Sequence, residues 1–334
     1  VGSVASSPET PVRHPVMTGL AMIETSCGIC GSDVSEPVLT GVDREHDLAG
    51  TFSVTRCARC SHHRLNPRPA DSELDKLYPD EYRPFSNQPA RRRRRLVGDM
   101  RGRLSDVVNF GSWRIATTEG RLLEVGCGSG ALLERFSDQG WTAVGIEPSV
   151  AASSAARERG LNVLTGIDEM VDDFEAESFD LIHAFMVIEH TPDPVRSLRR
   201  LRRVARDDSR LRVSVPNFGH RSRRRFGDCW YALQLPRHYQ HFTPESMRSA
   251  MEQAGWRIER IWFQPTNADV WGSISIQRDA GVPVHWLGRI QPVSRLLDIV
   301  TLPVRALTAQ VFGSSRMTVV ARPDVSLSTS SHAE

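Results

Sequence analysis

The stretch RLLEVGCGSGALLERFSDQGWTAVGIEPS, residues 121–149, decides the fold that this sequence predicts. Leu122, Leu123 and Val125 form a short apolar run typical of a buried strand, and the glycine cluster GCGSG follows at once. The segment ALLERFSDQG then has the apolar spacing and the terminal glycine of a helix. The segment WTAVGIEPS predicts a second strand that ends at Glu147. A strand, a tight glycine turn, a helix and a second strand together indicate a nucleotide site in a doubly wound α/β sheet.

The glycine turn and the acid after it predict separate contacts with a ligand. Gly126, Gly128 and Gly130 allow the backbone to approach a ligand closely, and Glu147, about twenty residues further on, can bind two ribose hydroxyls. The spacing is G-x-G-x-G, whereas dinucleotide-binding enzymes carry G-x-G-x-x-G. The turn alone therefore indicates a nucleotide-containing ligand without identifying it.

Composition and charge restrict the class of protein. The chain has 334 residues, 40% of them hydrophobic, and a formal net charge of +2. This length is typical of about two domains, and the near-neutral charge is not that of a nucleic-acid-binding protein. The N-terminal segment lacks the apolar region of a signal peptide, and no run of about 18 uncharged apolar residues occurs that would span a bilayer. We therefore expect a cytoplasmic protein.

Four of the six cysteines fall into two C-x-x-C pairs and predict a metal site. Each pair can form a tight knuckle whose backbone amides point at the sulfurs, and two knuckles supply the four thiolates of a tetrahedral structural zinc. The segment TFSVTRC predicts a strand that leads into the second knuckle. The alternatives are two reduced surface pairs or a redox C-x-x-C, but two pairs within one small segment favour zinc. The predicted ligands are Cys27, Cys30, Cys57 and Cys60.

The segments that flank the glycine turn form a recognisable series. They are LLEVGCGSG, the second strand closed by Glu147, FDLIHAFMVIEHTPDP as the fourth strand, LRVSVPN as the fifth and RMTVVARP as a terminal antiparallel strand. Over residues 119–323 this series resembles the class I S-adenosylmethionine-dependent methyltransferases. The resemblance implies an α/β fold, a doubly wound Rossmann-like seven-stranded methyltransferase sheet, and S-adenosylmethionine as the cofactor.

The N-terminal segments CGIC, CARC, LNPRP and YPDEY occur in that order. They resemble the zinc ribbon of a bacterial methyltransferase subgroup, C-x-x-C…C-x-x-C…NPRP…YP-x-EY, which includes sugar C-methyltransferases. In that subgroup the ribbon lies beside the substrate side of the catalytic domain. The resemblance therefore implies O- or C-methylation of a small molecule or saccharide, such as a nucleotide-linked sugar or a natural product.

The same resemblance assigns the cofactor contacts by position. Glu124 and the three glycines flank the methionine part, and Glu147 contacts the ribose. The segment TGIDEM follows the third strand, where the family contacts adenine. The end of the fourth strand lines the pocket, although its side chains could equally belong to the core. The expected cofactor-binding residues are Glu124, Gly126, Gly128, Gly130, Glu147, Ile167, Asp168, Phe185 and Met186.

Methyl transfer needs alignment and a group that removes a proton from the acceptor, and histidine is the natural base. His190 follows the fourth strand at the carboxyl edge of the sheet, where IEH resembles the EH pair of ubiquinone-type O-methyltransferases. Glu189 can orient His190 or hold a divalent cation with it; alternatively, His190 only shapes the cofactor pocket. His238 and His241 lie on a loop after the fifth strand that usually covers the acceptor in this fold. They are rival bases or substrate contacts, unless one of them caps the next helix.

The segment between the last two strands departs from a minimal methyltransferase. Its apolar residues lie near helical spacing with arginines between them, which predicts an amphipathic segment. We favour a lid or dimer contact, since Pro292 and Pro303 interrupt the helix; the alternative is peripheral membrane contact through residues 282–312. The predicted organisation is a disordered tail (1–22), a zinc-ribbon domain (23–86), a basic helical linker (87–118), the methyltransferase domain (119–323) with an amphipathic insertion (264–314), and a second disordered tail (324–334).

Two other functions stay open. The ribbon and the arginine runs at 91–95 and 221–225 could guide an RNA or protein methyltransferase, although such a run is more commonly a solvated helix end. A catalytically silent zinc scaffold would keep the fold for interaction alone, but the intact glycine turn and Glu147 argue against it. We expect a small-molecule or saccharide acceptor and no nucleic-acid partner, and the sequence predicts no oligomeric state.

Overall fold

The computed structural model describes residues 19–78, 119–283 and 301–327. Four sequence predictions lie partly or wholly outside these ranges: the terminal tails, the end of the zinc-ribbon domain, the basic linker with the arginines at 91–95, and the middle of the insertion. The residues concerned are 1–18, 79–118, 284–300 and 328–334.

The N-terminal part is a small β structure that carries the two cysteine pairs. Strands β2 (Ser35–Gly41), β3 (Phe52–Cys57) and β4 (His63–Leu65) pair antiparallel in that order. The strand predicted from TFSVTRC is therefore present as β3. The remaining elements are β1 (Met22–Ile23), which pairs with β5 (Arg68–Pro69), a 3-10 turn at Asp71–Glu73, and helix α1 (Leu74–Leu77).

The larger part is built on a seven-stranded sheet with the order β12-β13-β10-β9-β6-β7-β8. Neighbours among β6 to β10 in this sheet run parallel, whereas β13 is antiparallel to both β10 and β12. This arrangement confirms the predicted Rossmann-like fold class. The strands are β6 (Arg121–Val125), β7 (Thr142–Glu147), β8 (Asn162–Thr165), β9 (Phe179–Phe185), β10 (Ala205–Pro216), β12 (Trp256–Phe263) and β13 (Arg316–Pro323).

Helices accompany the sheet where the sequence supplies caps and apolar stripes. They are α2 (Ala131–Ser137), α3 (Val150–Glu158), α4 (Pro194–Val204), α5 (Arg221–Phe226), α6 (Pro244–Gln253), α7 (Ala268–Asp279) and α8 (Leu302–Phe312). In α4 the side chain of Asp193 accepts a hydrogen bond from the Arg196 amide and caps the helix. Its buried apolar residues recur every three positions from Val195 to Val204, so one face packs into the core under the sheet.

One strand crosses from the larger part into the smaller. The segment after β10 was expected as a loop over the acceptor, but Gln240–His241 forms strand β11 and pairs antiparallel with β4. The ribbon sheet therefore has the order β11-β4-β3-β2. The physical reason is that β4 would otherwise present an open edge, and pairing satisfies its backbone groups. The ribbon also packs closely on the start of α4, since a Cβ on Gly28 would lie 2.8 Å from Cδ of Pro194.

The insertion between β12 and β13 contains α7 and α8. Asp269 on α7 is fully buried, and its Oδ1 lies 2.6 Å from Nη2 of Arg316 at the start of β13. Helix α8 instead exposes Val304, Leu307, Val311 and Phe312, at 65 to 68% of their surface. Whether residues 282–312 act as a lid, a dimer contact or a membrane contact stays a prediction. Among the described residues, no helix combines the length and the apolar character needed to cross a bilayer.

Candidate functional site

The glycine turn after β6 leaves its backbone accessible at one position. Gly126, Gly128 and Gly130 have φ angles of 72°, 54° and 79°, which residues other than glycine rarely adopt. A Cβ on Gly126 would lie 2.5 Å from Val187 Cγ2, and one on Gly130 would lie 2.5 Å from Leu161 Cδ1. A Cβ on Gly128 would meet nothing within 4 Å, so this is the glycine that a ligand can approach.

Glu147 at the end of β7 is buried and tied to the same turn. Its Oε2 accepts a hydrogen bond from the Gly128 amide at 2.7 Å, and its Oε1 accepts one from the Ser149 amide at 2.9 Å. Burial raises the pKa of Glu147, while these two hydrogen bonds oppose the rise. Each carboxylate oxygen has further acceptor capacity, as the predicted contact with two ribose hydroxyls requires.

Glu124 lies in β6 directly before the turn, and it is almost completely buried. Its Oε2 has no hydrogen-bond partner among the described residues. Burial, together with the charge of Glu147, raises the pKa of Glu124 to about 8. A buried acidic oxygen without a partner needs a donor, and the ammonium of a methionine moiety would supply one. Glu124, Glu147 and the open turn at Gly128 thus fit S-adenosylmethionine.

The residues expected near adenine lie after β8. Ile167 is 43% exposed, so it can cover a flat ring. The carboxylate of Asp168 lies 3.2 Å from Nη1 of Arg200, which also binds Glu169 and Asp172. The side chain of Asp168 is therefore shared with an ion-pair network, and its cofactor contact stays a prediction.

Phe185 ends β9 and Met186 follows it; both are half-buried, outside the buried core. The ring of Phe185 packs against His183 at 4.7 Å between centroids. Met186 has a φ of 55°, and its amide donates to the carbonyl of Ser214 at 2.8 Å. This bend turns the chain away from the sheet, so both side chains lie at its carboxyl edge, where the predicted pocket would be.

His190 belongs to a 3-10 turn, Ile188–His190, immediately after β9. Its Nδ1 lies 2.9 Å from the Tyr78 hydroxyl and 3.1 Å from the Arg237 carbonyl. A carbonyl accepts only from a protonated nitrogen, so Nδ1 carries the proton and Nε2 is the basic nitrogen. Burial lowers the pKa of His190 to about 4, and the charge of Arg237 also lowers it. The imidazole is therefore neutral at physiological pH and able to accept a proton.

Glu189 and His238 lie beside His190. Glu189 is fully buried, and neither of its oxygens has a partner among the described residues. Burial raises its pKa to about 8. The Nδ1 of His238 donates to the Ala232 carbonyl at 3.0 Å, while its buried Nε2 has no partner among the described residues. The rings of His190 and His238 are 4.6 Å apart.

These three side chains could together hold a cation. One potential ligand atom of each, from Glu189, His190 and His238, lies within 4.8 Å of the others. Each histidine has its Nδ1 on a backbone carbonyl, which is the usual support of a metal-binding imidazole. The cluster thus suits either proton transfer or a divalent cation.

His241 lies apart from this cluster, because it pairs with His63 in the ribbon sheet. It is buried against Phe218, with ring centroids 5.0 Å apart, and burial lowers its pKa to about 3. His238 and His241 are 6.4 Å apart between ring centroids. The structure therefore brings His190, His238 and Glu189 together and leaves His241 on the ribbon side, and the catalytic role of all four stays a prediction.

Two residues that sequence reasoning did not single out support His190. Tyr78 contributes its hydroxyl from the end of α1, and it is the first tyrosine of the YPDEY segment. Arg237 contributes its carbonyl, while its guanidinium forms a buried bidentate pair with Asp43 at 2.9 and 3.1 Å. The subgroup resemblance of YPDEY could have drawn attention to Tyr78, but nothing in the sequence indicated the pairing of Arg237 with Asp43.

The four cysteines of the two pairs come together as predicted. Their Sγ atoms lie within 4.8 Å of one another, with Cys27 to Cys60 and Cys30 to Cys57 both at 3.5 Å. Burial would raise the pKa of Cys57, but the amides of Cys60 and Arg59 outweigh it and lower the pKa to about 6. Amides that point at sulfur and a compact group of four thiols fit a zinc ribbon.

The chain is similar in sequence to known methyltransferases. The methyltransferase domain family matches residues 91–261. A ubiquinone biosynthesis O-methyltransferase of Hahella chejuensis is 35% identical over 116 residues, which are 33% of this chain and 49% of that protein. A protein of the same name from Xanthomonas oryzae pv. oryzae is 28% identical over 169 residues, 46% of this chain and 70% of that protein.

Among solved structures, a SAM-dependent methyltransferase from Archaeoglobus fulgidus matches with a TM-score of 0.43 and 18% identity, over 68% of this chain and 93% of that chain. The chain spans about half the length of the Hahella relative. The family match covers the glycine turn, Glu147 and the IEH segment that carried the resemblance. The chain therefore belongs to the methyltransferase domain family, as a class I S-adenosylmethionine-dependent methyltransferase.

Proposed function

We propose that this protein transfers a methyl group from S-adenosylmethionine to a small-molecule acceptor. One observation carries the proposal: two buried acidic side chains, Glu124 and Glu147, flank the glycine turn at the same sheet edge as a neutral, supported His190. In open α/β sheets, ligands bind at the carboxyl ends of the strands. Cofactor contacts and a base thus share one edge.

The bound cofactor would supply an electrophilic methyl group on a sulfonium. Glu147 would hold the ribose hydroxyls, and Glu124 would hold the ammonium group. His190 Nε2 would accept the proton of an acceptor hydroxyl, or of an acidic carbon next to a keto group, as the methyl group arrives. The proton then rests on an imidazolium whose Nδ1 remains fixed by the Arg237 carbonyl. Glu189 lies close enough to stabilise that charge when it is ionised.

For the acceptor, the proposal extends to a saccharide or a phenolic natural product. The ribbon motifs resemble those of a subgroup that includes sugar C-methyltransferases, which supports a saccharide. The relatives named for ubiquinone biosynthesis support O-methylation of a phenolic ring. Both acceptor classes present a proton to a neutral base, so His190 serves either.

The cofactor assignment is tested by calorimetric titration with S-adenosylmethionine and with its demethylated product. We expect binding to the wild type and at least tenfold weaker binding to Glu147→Ala, since loss of charge-assisted hydrogen bonds costs about 1.5–3 kcal/mol. Glu158→Ala removes an exposed glutamate on α3 and is the matched control. Equal affinity of the wild type and Glu147→Ala would reject the ribose contact, and no binding to folded, zinc-loaded wild type would reject the proposed function.

A further inference from the structure

A cavity of about 490 Å³ lies beside the carboxyl end of β10. Its walls come from α5, the segment 265–267, α8 and the segment 313–315. Cavities that bind small molecules usually measure about 300–1,000 Å³, so this one can hold a compact ligand. It is separate from the glycine turn and contains none of the predicted cofactor residues.

The lining of this cavity contains arginines but no acidic side chains among the described residues. Arg221, Arg225 and Arg305 line it, and none of the described lining residues is an aspartate or a glutamate. No carboxylate pairs with Arg221 or Arg225 among the described residues, whereas Arg200 and Arg316 elsewhere in the chain form ion pairs. Three guanidinium groups that line one concave site, with no Asp or Glu among its described lining residues, attract an anion.

The remaining walls are apolar or hydroxyl-bearing. Phe226 and Phe312 line the cavity, and the guanidinium of Arg225 lies 5.8 Å from the ring of Phe226. Thr266 adds a hydroxyl. A ligand that suits these walls combines an anionic group with an apolar or ring-shaped part.

The cavity lies beside the end of β10, the strand that pairs with β9. Asn217, the residue after β10, donates from its amide to the Ser315 carbonyl at 2.8 Å and from its side chain to the Ser314 carbonyl at 2.9 Å. Strand β10 pairs with β9, where Ser214 lies opposite Phe185. Arg316, which follows Ser315, acts electrostatically on Glu189. A ligand in the cavity would therefore lie one strand away from the end of β9.

We propose that this cavity binds a phosphate or diphosphate group of the methyl acceptor. The assignment of the anion to the methyl acceptor rests on the proposed function, but the anion site itself does not. Guanidinium groups bind phosphate oxygens through paired N–H donors, and several arginines suit a group that spreads more than one negative charge over several oxygens. A single carboxylate would be satisfied by one arginine, so the number of arginines favours phosphate.

The test is calorimetric titration of the full-length, zinc-loaded protein with inorganic pyrophosphate in phosphate-free buffer. We expect binding to the wild type, and about tenfold or more weaker binding to Arg221→Ala and Arg225→Ala, because each removes charge-assisted hydrogen bonds. Arg224→Ala is the matched control, because Arg224 carries the same charge on the same helix and is exposed like Arg221 and Arg225, but it does not line the cavity. The affinity of this variant for pyrophosphate should stay within about twofold of the wild type, because an exposed charge outside the cavity contributes little.

Three results would overturn the inference: no pyrophosphate binding, equal weakening by Arg224→Ala, or tighter binding of malonate than of pyrophosphate. The first two would exclude the site, and the third would assign it to carboxylates. The same samples are titrated with S-adenosylmethionine. If the cofactor binds and pyrophosphate does not, this inference fails while the proposed function stands. If pyrophosphate binds with the expected variant pattern and the cofactor does not, the proposed function fails and the anion site remains.

Discussion

Glu124 shows how one buried residue links the fold to the cofactor site. It lies in a central strand where apolar residues dominate, its Oε2 has no partner among the described residues, and burial raises its pKa from 4.5 to about 8. Burying an acid in this way destabilises a fold unless the group stays protonated. An unfavourable residue at the start of a ligand turn is typical of a functional position.

The stability of the protein should therefore depend on pH through Glu124. Between pH 4.5 and about 8 the folded protein keeps a proton that the unfolded chain has released, so the free energy of unfolding falls as the pH rises through this window. We expect Glu124→Gln, which stays neutral, to gain stability relative to the wild type as the pH increases from 5 to about 8.5. Chemical denaturation at both pH values measures the difference.

Glu158→Gln is the control for this comparison, because Glu158 is exposed on α3. The difference in free energy of unfolding between Glu158→Gln and the wild type should be the same at both pH values. If the difference in free energy of unfolding between Glu124→Gln and the wild type is also the same at both pH values, the raised pKa of Glu124 is wrong.

At the scale of elements, strand β11 connects the ribbon to the candidate active site. It pairs with β4, and the side chain of Gln240 bridges His62 of the ribbon and the carbonyls of Thr191 and Pro192 after the IEH segment. His238 lies only two residues before this strand. Loss of structure in the ribbon should therefore also loosen the positions of His190 and His238.

We expect Cys60→Ser to release the metal and to loosen β11, since structural zinc contributes directly to the stability of such a fold. Elemental analysis should show loss of zinc, and hydrogen exchange at the amides of Gln240 and His241 should become faster. Cys229→Ser is the matched control, because Cys229 is buried outside the group of four. Unchanged zinc content, or zinc loss with unchanged exchange in β11, would contradict the coupling.

On the scale of the whole molecule, the two parts are joined by a buried ion pair. Asp43 of the ribbon and Arg237 of the larger part have side chains that are 1% and 0% exposed. Burial would raise the pKa of Asp43, but the hydrogen bonds and charge of Arg237 outweigh it and lower the pKa. Arg237 also donates to the carbonyl of Leu77 at 2.7 Å, next to Tyr78. The two parts should therefore unfold as one cooperative unit.

Asp43→Ala leaves a buried arginine unpaired and should lower the free energy of unfolding by about 3–5 kcal/mol. Chemical denaturation measures this loss, and the double variant Asp43→Ala with Arg237→Met should lose less than the sum of the single losses. The exposed pair of Glu36 and Arg56 in the ribbon is the control, since Glu36→Ala should cost about 0–1 kcal/mol. Additive losses at Asp43 and Arg237 would show that the pair does not join the two parts.

The sequence by itself determined the strands beside the glycine turn and the turn itself, and it predicted the cysteine site; the seven strands of the sheet followed from the resemblance to a known family. The turn, its strands and the cysteine site depend on local patterns: apolar runs of strand length, glycines that readily adopt positive φ, and short C-x-x-C spacings. The prediction of cofactor contacts at Gly128 and Glu147 has the same local basis, because each of these residues lies at the carboxyl end of one of two adjacent parallel strands.

Only the tertiary structure decided how the ribbon meets the active site. A two-residue strand such as β11 is too short to show a periodic pattern, so its pairing could not be predicted. Tyr78 and His190 are 112 positions apart, and Asp43 and Arg237 are 194 apart. The arginine-lined cavity likewise assembles α5 and α8 from distant segments. Contacts of this kind depend on how complete elements pack, and no local preference of the chain encodes them.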